Sequence, residues 1–155
     1  MHQAAKAIAA RYNSKVREWN LVDEFHGTFF YDSVYYSYFK GQPCTIEKFV
    51  AGEFSKLINN TGTPKVVDDD EREMLAKAES LCHFSLSDSE EKMILVDIQG
   101  FSFNLVDPEI ATAQILGEDD EVQFCAGNLG QTTINNFKEL HSCSKFCALL
   151  GLNDY

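Results

Sequence analysis

Leu81-Cys-His-Phe-Ser-Leu86, the polar run Ser87-Asp-Ser-Glu-Glu91, Met93-Ile-Leu-Val-Asp-Ile-Gln-Gly100 and Asn104-Leu-Val-Asp-Pro108 make up the stretch on which the fold turns. Met93 to Ile98 is apolar at nearly every position, the pattern of a central strand covered on both faces. His83 to Leu86 reads as its hairpin partner, with Ser87 to Glu91 as the turn. The apolar run ends in Asp97-Ile-Gln99-Gly100, and Asp107-Pro108 follows closely. Two carboxylates and an amide thus reach one sheet edge, where they could seat a divalent cation and a phosphate. Taken alone, Asp97 and Asp107 could equally be loop-capping carboxylates.

Upstream, Ala5, Ile8, Tyr12, Val16 and Trp19 recur at spacings of three and four, which predicts an amphipathic helix over Gln3 to Trp19. Leu21 to Phe49 is rich in Phe and Tyr, broken by Gly27, Asp32-Ser33 and Lys40-Gly-Gln-Pro43, and reads as a short antiparallel meander whose last strand is Cys44 to Val50. Ala51-Gly-Glu-Phe54 is expected to turn into a helix or loop that ends at Asn59-Asn-Thr-Gly62. The acidic run Asp68 to Glu71 suits the first turn of a helix buried through Met74, Leu75, Ala78 and Leu81. Downstream, Ile110 to Glu121 carries no clear period, and Gly117 to Asp120 is a loop. Phe124 to Gly130 is a small-residue turn. A final helix capped by Thr132 or Thr133 buries Ile134, Phe137, Leu140, Phe146 and Leu149 or Leu150.

A chain of 155 residues with 45% apolar content fits one globular α+β domain rather than a disordered segment. No apolar run is long enough to span a bilayer and the N-terminus lacks a signal-peptide core, so a cytoplasmic protein is expected. The formal charge of −11 disfavours nucleic acid and favours a basic peptide or protein partner.

Cys143 and Cys147 stand four apart, so on a helix both thiols share a face. His141 joins them if the helix breaks near Ser142, and His83 is a candidate fourth ligand, with Cys82 as its rival. Thiolate and imidazole donors suit zinc, and four protein ligands would close a tetrahedral site. The other reading is that both cysteines are core thiols and His141 a capping residue.

Leu95-Val-Asp-Ile-Gln-Gly100, Asn104-Leu-Val-Asp-Pro108, Gly127-Asn-Leu-Gly130 and His141-x-Cys143-x-x-x-Cys147, in that order, resemble the atypical alpha-kinase family, as does Glu47-Lys-Phe-Val-Ala-Gly-Glu-Phe-Ser-Lys56 with Asn59-Asn60. The resemblance implies a zinc-stabilised kinase-like α+β domain, with residues 1–50 as an N-lobe remnant and hinge and 51–155 as the C-lobe. It implies a protein serine/threonine kinase that uses ATP and magnesium. Asp97 then matches the catalytic aspartate, and Gln99 and Asp107 the magnesium ligands. Glu47 falls at the adenine-contacting hinge and Asn60 near the phosphates. Gly127, Asn128 and Gly130 belong to a substrate-facing loop, and His83, His141, Cys143 and Cys147 match the zinc ligands.

The chain departs from the family at Cys125 and Ala126, where a glycine usually opens the loop. It also begins at the helix that follows the family's lysine-bearing strands, so weak kinase activity is expected of residues 1–155 alone. The alternative is a catalytically incomplete, zinc-stabilised module that binds peptide or regulates a partner.

Overall fold

A computed structural model describes residues 1–153. In chain order the elements are α1 (His2–Glu18), α2 (Val22–Phe25), β1 (Phe30–Tyr31), β2 (Tyr35–Phe39), β3 (Gln42–Ile46), β4 (Phe54–Lys56), α3 (Arg72–Asp88), β5 (Met93–Val96), β6 (Gln99–Phe101), β7 (Asn104–Leu105), β8 (Glu109–Thr112), α4 (Gln131–Leu140) and α5 (Lys145–Leu149). The mixed α+β class agrees with the sequence. No helix among the described residues is long and apolar enough to cross a membrane.

The predicted first helix is present, and Ala5, Ile8, Ala9, Tyr12 and Val16 bury its apolar stripe. Tyr12 is its anchor. Its ring meets Phe25 and Phe84 edge to face at 6.0 and 5.5 Å, and its hydroxyl shares a 2.6 Å hydrogen bond with Ser80 of α3. Phe25 in turn packs against Phe146 of α5 at 4.9 Å. One aromatic chain thus ties the N-terminal helix to the last one.

Residues 83 to 86 are not a strand. They complete α3, whose side chains from Ser80 to Leu86 are all buried. His83-Phe-Ser-Leu86 alternates polar and apolar like a strand, but four residues are too few for that period to exclude a buried helix. The serines decide the matter: Ser80 and Ser85 donate their hydroxyls back to Lys77 and Cys82 carbonyls at 2.8 and 2.7 Å. Ser85 also accepts from the Leu95 backbone amide at 2.8 Å, which seats β5 on the helix. The strand β5 is buried as expected, but its partner is β8, with Leu95 opposite Ile110, and it forms a two-stranded ladder rather than a sheet centre.

The larger sheet has the order β1-β7-β6-β4. The aromatic segment is only partly a meander. Strands β2 and β3 form a hairpin, whereas β1 pairs in parallel with β7, some seventy positions away (Phe30 opposite Asn104). Residues 47 to 50 lie beyond β3, and Phe54 to Lys56, expected in a helix or loop, forms an antiparallel pair with β6. The last helix is two, separated by extended His141 to Ser144. Leu140, expected inside, is 55% exposed because it lies at that break. Helix α4 begins at Gly130 without a threonine cap; the Thr133 hydroxyl instead donates to the Asn60 carbonyl at 3.1 Å.

Candidate active site and metal centre

Two turns swing the predicted carboxylates together. Asp97 and Asp107 both adopt left-handed backbone angles, φ 55° and 46°, which Asp tolerates better than most residues. Gly100 between them has φ 157°, and a Cβ there would fall 2.8 Å from Leu105 Cα and against the Asn104 carbonyl. Only glycine lets β6 and β7 approach so closely.

Gln99 donates its side-chain amide to Asp97 Oδ2 at 2.7 Å and to the Asp107 carbonyl at 3.3 Å. Lys56, which the sequence reading did not single out, reaches Asp97 Oδ1 at 2.5 Å. It gets there because β4 pairs with β6 so that Lys56 stands opposite Gln99. Asp97 is 7% exposed, so this ion pair is largely shielded from solvent. Glu109, also missed, completes the group. Burial first, then the negative fields of Asp97 and Asp107, hold its carboxyl above the ordinary range, with Lys56 partly offsetting them. Three carboxylates, Glu109 among them, thus lie together with one lysine, which is paired with Asp97. That excess of negative oxygen fits a hard divalent cation, for which the Asp107 carboxylate and the Gln99 amide oxygen are suitable donors. Glu47 lies apart from this group. It is exposed and lines a hollow of about 360 Å³ with Phe49, Val50, Phe101 and Val106. The bond that Asn60 makes is its carbonyl to α4.

The segment Gly127 to Gly130 is held down by Asn128. Its Oδ1 accepts from the backbone amides of Thr112 and Gly130, both at 3.0 Å, and its Nδ2 donates to Thr112 Oγ1 and the Gln123 carbonyl at 2.7 and 3.2 Å. With every bond used internally, Asn128 braces the loop, while Gly127 presses on Glu109, where a Cβ would collide with the carboxylate. Replacing Asn128 by Ala strands the buried Thr112 amide. It is expected to cost about 2 kcal/mol in urea unfolding, and to raise protease cleavage within 123–130.

The second cluster is where the spacing of His141, Cys143 and Cys147 placed it. Donor atoms of His83, His141, Cys143 and Cys147 all lie within 4.8 Å of one another. His83 Nδ1 is 3.1 Å from His141 Nε2 and 3.5 Å from Cys143 Sγ, and Cys147 Sγ is 3.6 Å from His141 Nε2. A tetrahedral zinc with ordinary bond lengths sets its ligands about 3.3 Å apart for two nitrogens and about 3.6 Å for nitrogen and sulfur. The donor set and spacing fit zinc. The extended His141 lets the histidine turn back beside the thiols; its ring stacks on Phe137 at 4.7 Å, and Glu79 stands 3.8 Å from Nδ1. Cys82, the rival of His83, lies outside the cluster as a buried thiol one residue round the helix. Burial raises the Cys147 pKa, but His141, His83 and the Ser144 backbone outweigh it and bring it to about 6. Burial lowers that of His141, and Cys147 and Glu79 outweigh it and take it to about 9. The site is therefore a thiolate facing imidazolium, poised to exchange protons for a metal.

The alpha-kinase family model matches residues 1–147, and the chain belongs to that family. It is 32% identical over 154 residues, 99% of its length, to Alpha-protein kinase 1 of Dictyostelium discoideum, of which it covers 10%. Over 109 residues, 70% of the chain, it is 35% identical to Myosin heavy chain kinase B of the same organism, covering 13% of it. Over 119 residues, 77% of the chain, it is 33% identical to human Transient receptor potential cation channel subfamily M member 6, covering 6%. Among solved structures, the alpha-kinase domain of Myosin heavy chain kinase A in complex with ADP superposes with a TM-score of 0.76 at 28% identity. The match covers 99% of this chain and 56% of that one.

Proposed function

We propose that this chain is the C-terminal part of an alpha-type protein kinase domain, residues 1–50 contributing N-lobe and hinge and 51–155 the C-lobe. The reaction is transfer of the ATP γ-phosphoryl group to a serine or threonine hydroxyl of a protein. The observation that carries this reading is the contact of Asp97 with both Lys56 and Gln99, next to Asp107. Phosphoryl transfer needs little covalent chemistry from the protein, only positioning and charge neutralisation. Asp97 would take charge of the acceptor hydroxyl, with the Lys56 ammonium orienting its carboxylate. Gln99 and Asp107 would hold the magnesium, which when bound supplies charge neutralisation to the phosphates. Glu47 and the hollow beside it would receive the adenine. Asn60 is assigned to the phosphate side, and the Asn128-braced loop faces the peptide. His83, His141, Cys143 and Cys147 bind a structural zinc that has no open position for chemistry.

The alternative, a catalytically incomplete module, has less in its favour, because a non-catalytic role makes no demand for a shielded Lys56–Asp97 pair beside Gln99 and Asp107. The test is transfer of labelled phosphate from ATP to a threonine-containing basic peptide. Whatever rate the wild-type chain shows should vanish in Asp97→Asn; an unchanged rate would refute the assignment.

A further inference from the structure

We propose that the outer edge of β4 is a docking groove for an extended basic peptide with one apolar anchor, the segment of a protein substrate that flanks its acceptor hydroxyl. The proposal rests on the phosphoryl-transfer reading above. Among the described residues β4 is the last strand of the sheet. The Val106 amide donates to the Gln99 carbonyl at 3.0 Å and the Leu57 amide to the Ile98 carbonyl at 2.8 Å. Successive strand residues aim their backbone groups at opposite neighbours, so Ile98 and Gly100 serve β4 while Gln99 serves β7. By the same alternation Ser55 faces β6; beyond it the Leu57 carbonyl accepts from the Lys65 amide at 2.8 Å, which closes the edge there, so the amides and carbonyls of Phe54 and Lys56 are the short outward row left to pair with another chain.

The segment 65–71 touches this edge at its two ends, through the Lys65 amide on the Leu57 carbonyl and the Ser55 hydroxyl on Glu71, and between them leaves a cleft of about 510 Å³. Glu53, Asp68, Asp70 and Glu71 line it; of the cations there, Lys56 is already matched by Asp97, which leaves Lys65. Lysine or arginine side chains are the complement of such a lining, and a polyphosphate or nucleic acid is repelled by it. The cleft shares Glu53, Ser55 and Glu71 with a second cavity of about 340 Å³, whose apolar wall is Leu57, Met74, Phe101 and Leu105. That volume suits one leucine-sized anchor.

The two faces of β4 differ in a useful way. Ser55 bonds Glu71 on the cavity side, whereas Lys56 bonds Asp97 on the other. A peptide added as the next strand presents alternate side chains to these two faces. With its anchor in the cavity, it brings residues an odd number of positions away to the Asp97 face, where an acceptor hydroxyl belongs.

The test is fluorescence anisotropy of the 155-residue chain with a fluorescein-labelled peptide, Lys-Arg-Leu-Thr-Lys-Arg, without nucleotide. Circular dichroism and zinc content confirm that each variant is folded. The double variant Glu53→Lys with Asp70→Lys, both exposed and outside the catalytic group, is expected to weaken binding by about tenfold or more. N-methylation at the peptide amides that face β4 is expected to do the same, and methylation at the alternate amides to change affinity by less than about twofold. Met74→Trp, which fills the cavity, should remove the preference for Leu over Ser at the anchor. Affinities that are indifferent to charge reversal and to the position of the methyl groups overturn the proposal. Docking with a transfer rate unaltered by Asp97→Asn counts against the catalytic reading and leaves the groove standing; transfer that Asp97→Asn abolishes, with a KM unchanged by the double variant, does the reverse.

Discussion

Stripping zinc with a strong chelator is expected to lower the midpoint of thermal unfolding by more than about 10 °C, and Cys147→Ser to match it without chelator. The reason lies in what the four ligands join. His83 belongs to α3, His141 ends α4, Cys143 lies in the extended link and Cys147 is on α5. A helix of five residues cannot persist on its own hydrogen bonds, so α5 depends on Phe146 and on the proposed zinc. Loss of about 4 kcal/mol at such a junction corresponds to the shift given, at about 2–4 °C per kcal/mol for a domain of this size. Scanning fluorimetry paired with metal analysis measures both quantities, and protein without bound zinc and with an unaltered midpoint would remove the claim.

The pH dependence follows from the same atoms. The Cys147 pKa lies below its ordinary 9.0, at about 6, so the stability its thiolate brings is full above 9.0 and is lost as pH falls through about 6. His141 is raised from 6.5 to about 9, so in metal-free protein its contribution is full below 6.5 and is lost as pH rises through about 9. The metal-free protein therefore keeps the thiolate–imidazolium pair only between these limits. Protons compete with zinc for Cys147 on the acid side, and zinc affinity is expected to decline progressively as pH drops below about 6.

Asp97→Asn and Lys56→Met are each expected to lower phosphate transfer by at least about a hundredfold, with different signatures. Asp97→Asn removes the proposed acceptor of the hydroxyl proton while keeping its shape. Nucleotide affinity should change little, and kcat should carry the loss. Lys56→Met leaves the buried Asp97 without its cation and removes the positive field that Glu109 also feels. The Asp97 carboxylate loses the cation that orients it, so the rate should fall. The variant should also lose about 2 kcal/mol of stability, because one partner of a mostly shielded pair has been removed. Steady-state kinetics, with urea unfolding alongside, separates the two. A Lys56→Met protein with wild-type rate would show that the pair is only structural.

What the sequence made legible was local. His141-x-Cys143-x-x-x-Cys147 spans seven residues from the end of α4 through the link to α5, and the run Met93 to Gln99 carries its carboxylate at its own end, so both groupings were local enough to be read from spacing. The unread features depend on distant partners. Lys56 acquires its role only because β4 pairs with β6, and nothing within Phe54-Ser-Lys56 announces that pairing. The parallel union of β1 with β7 is a contact between remote segments of the same kind. Residues 83 to 86 misled for another reason: Ser85 in an apolar run looks like strand alternation until its hydroxyl folds back on the Cys82 carbonyl. Asn128 was readable as part of a loop. Its use as an internal brace needed Thr112, sixteen positions earlier.

The central claim is that Gln99 and Asp107 hold the cation on which ATP is positioned beside Asp97. Calorimetric titration of the chain with a non-hydrolysable ATP analogue, with and without magnesium, tests it most directly. Magnesium is expected to tighten binding by about tenfold or more in the wild type, and the variant Gln99→Leu with Asp107→Asn should bind the analogue equally in its presence and absence. A magnesium effect that survives undiminished in that double variant would contradict the account.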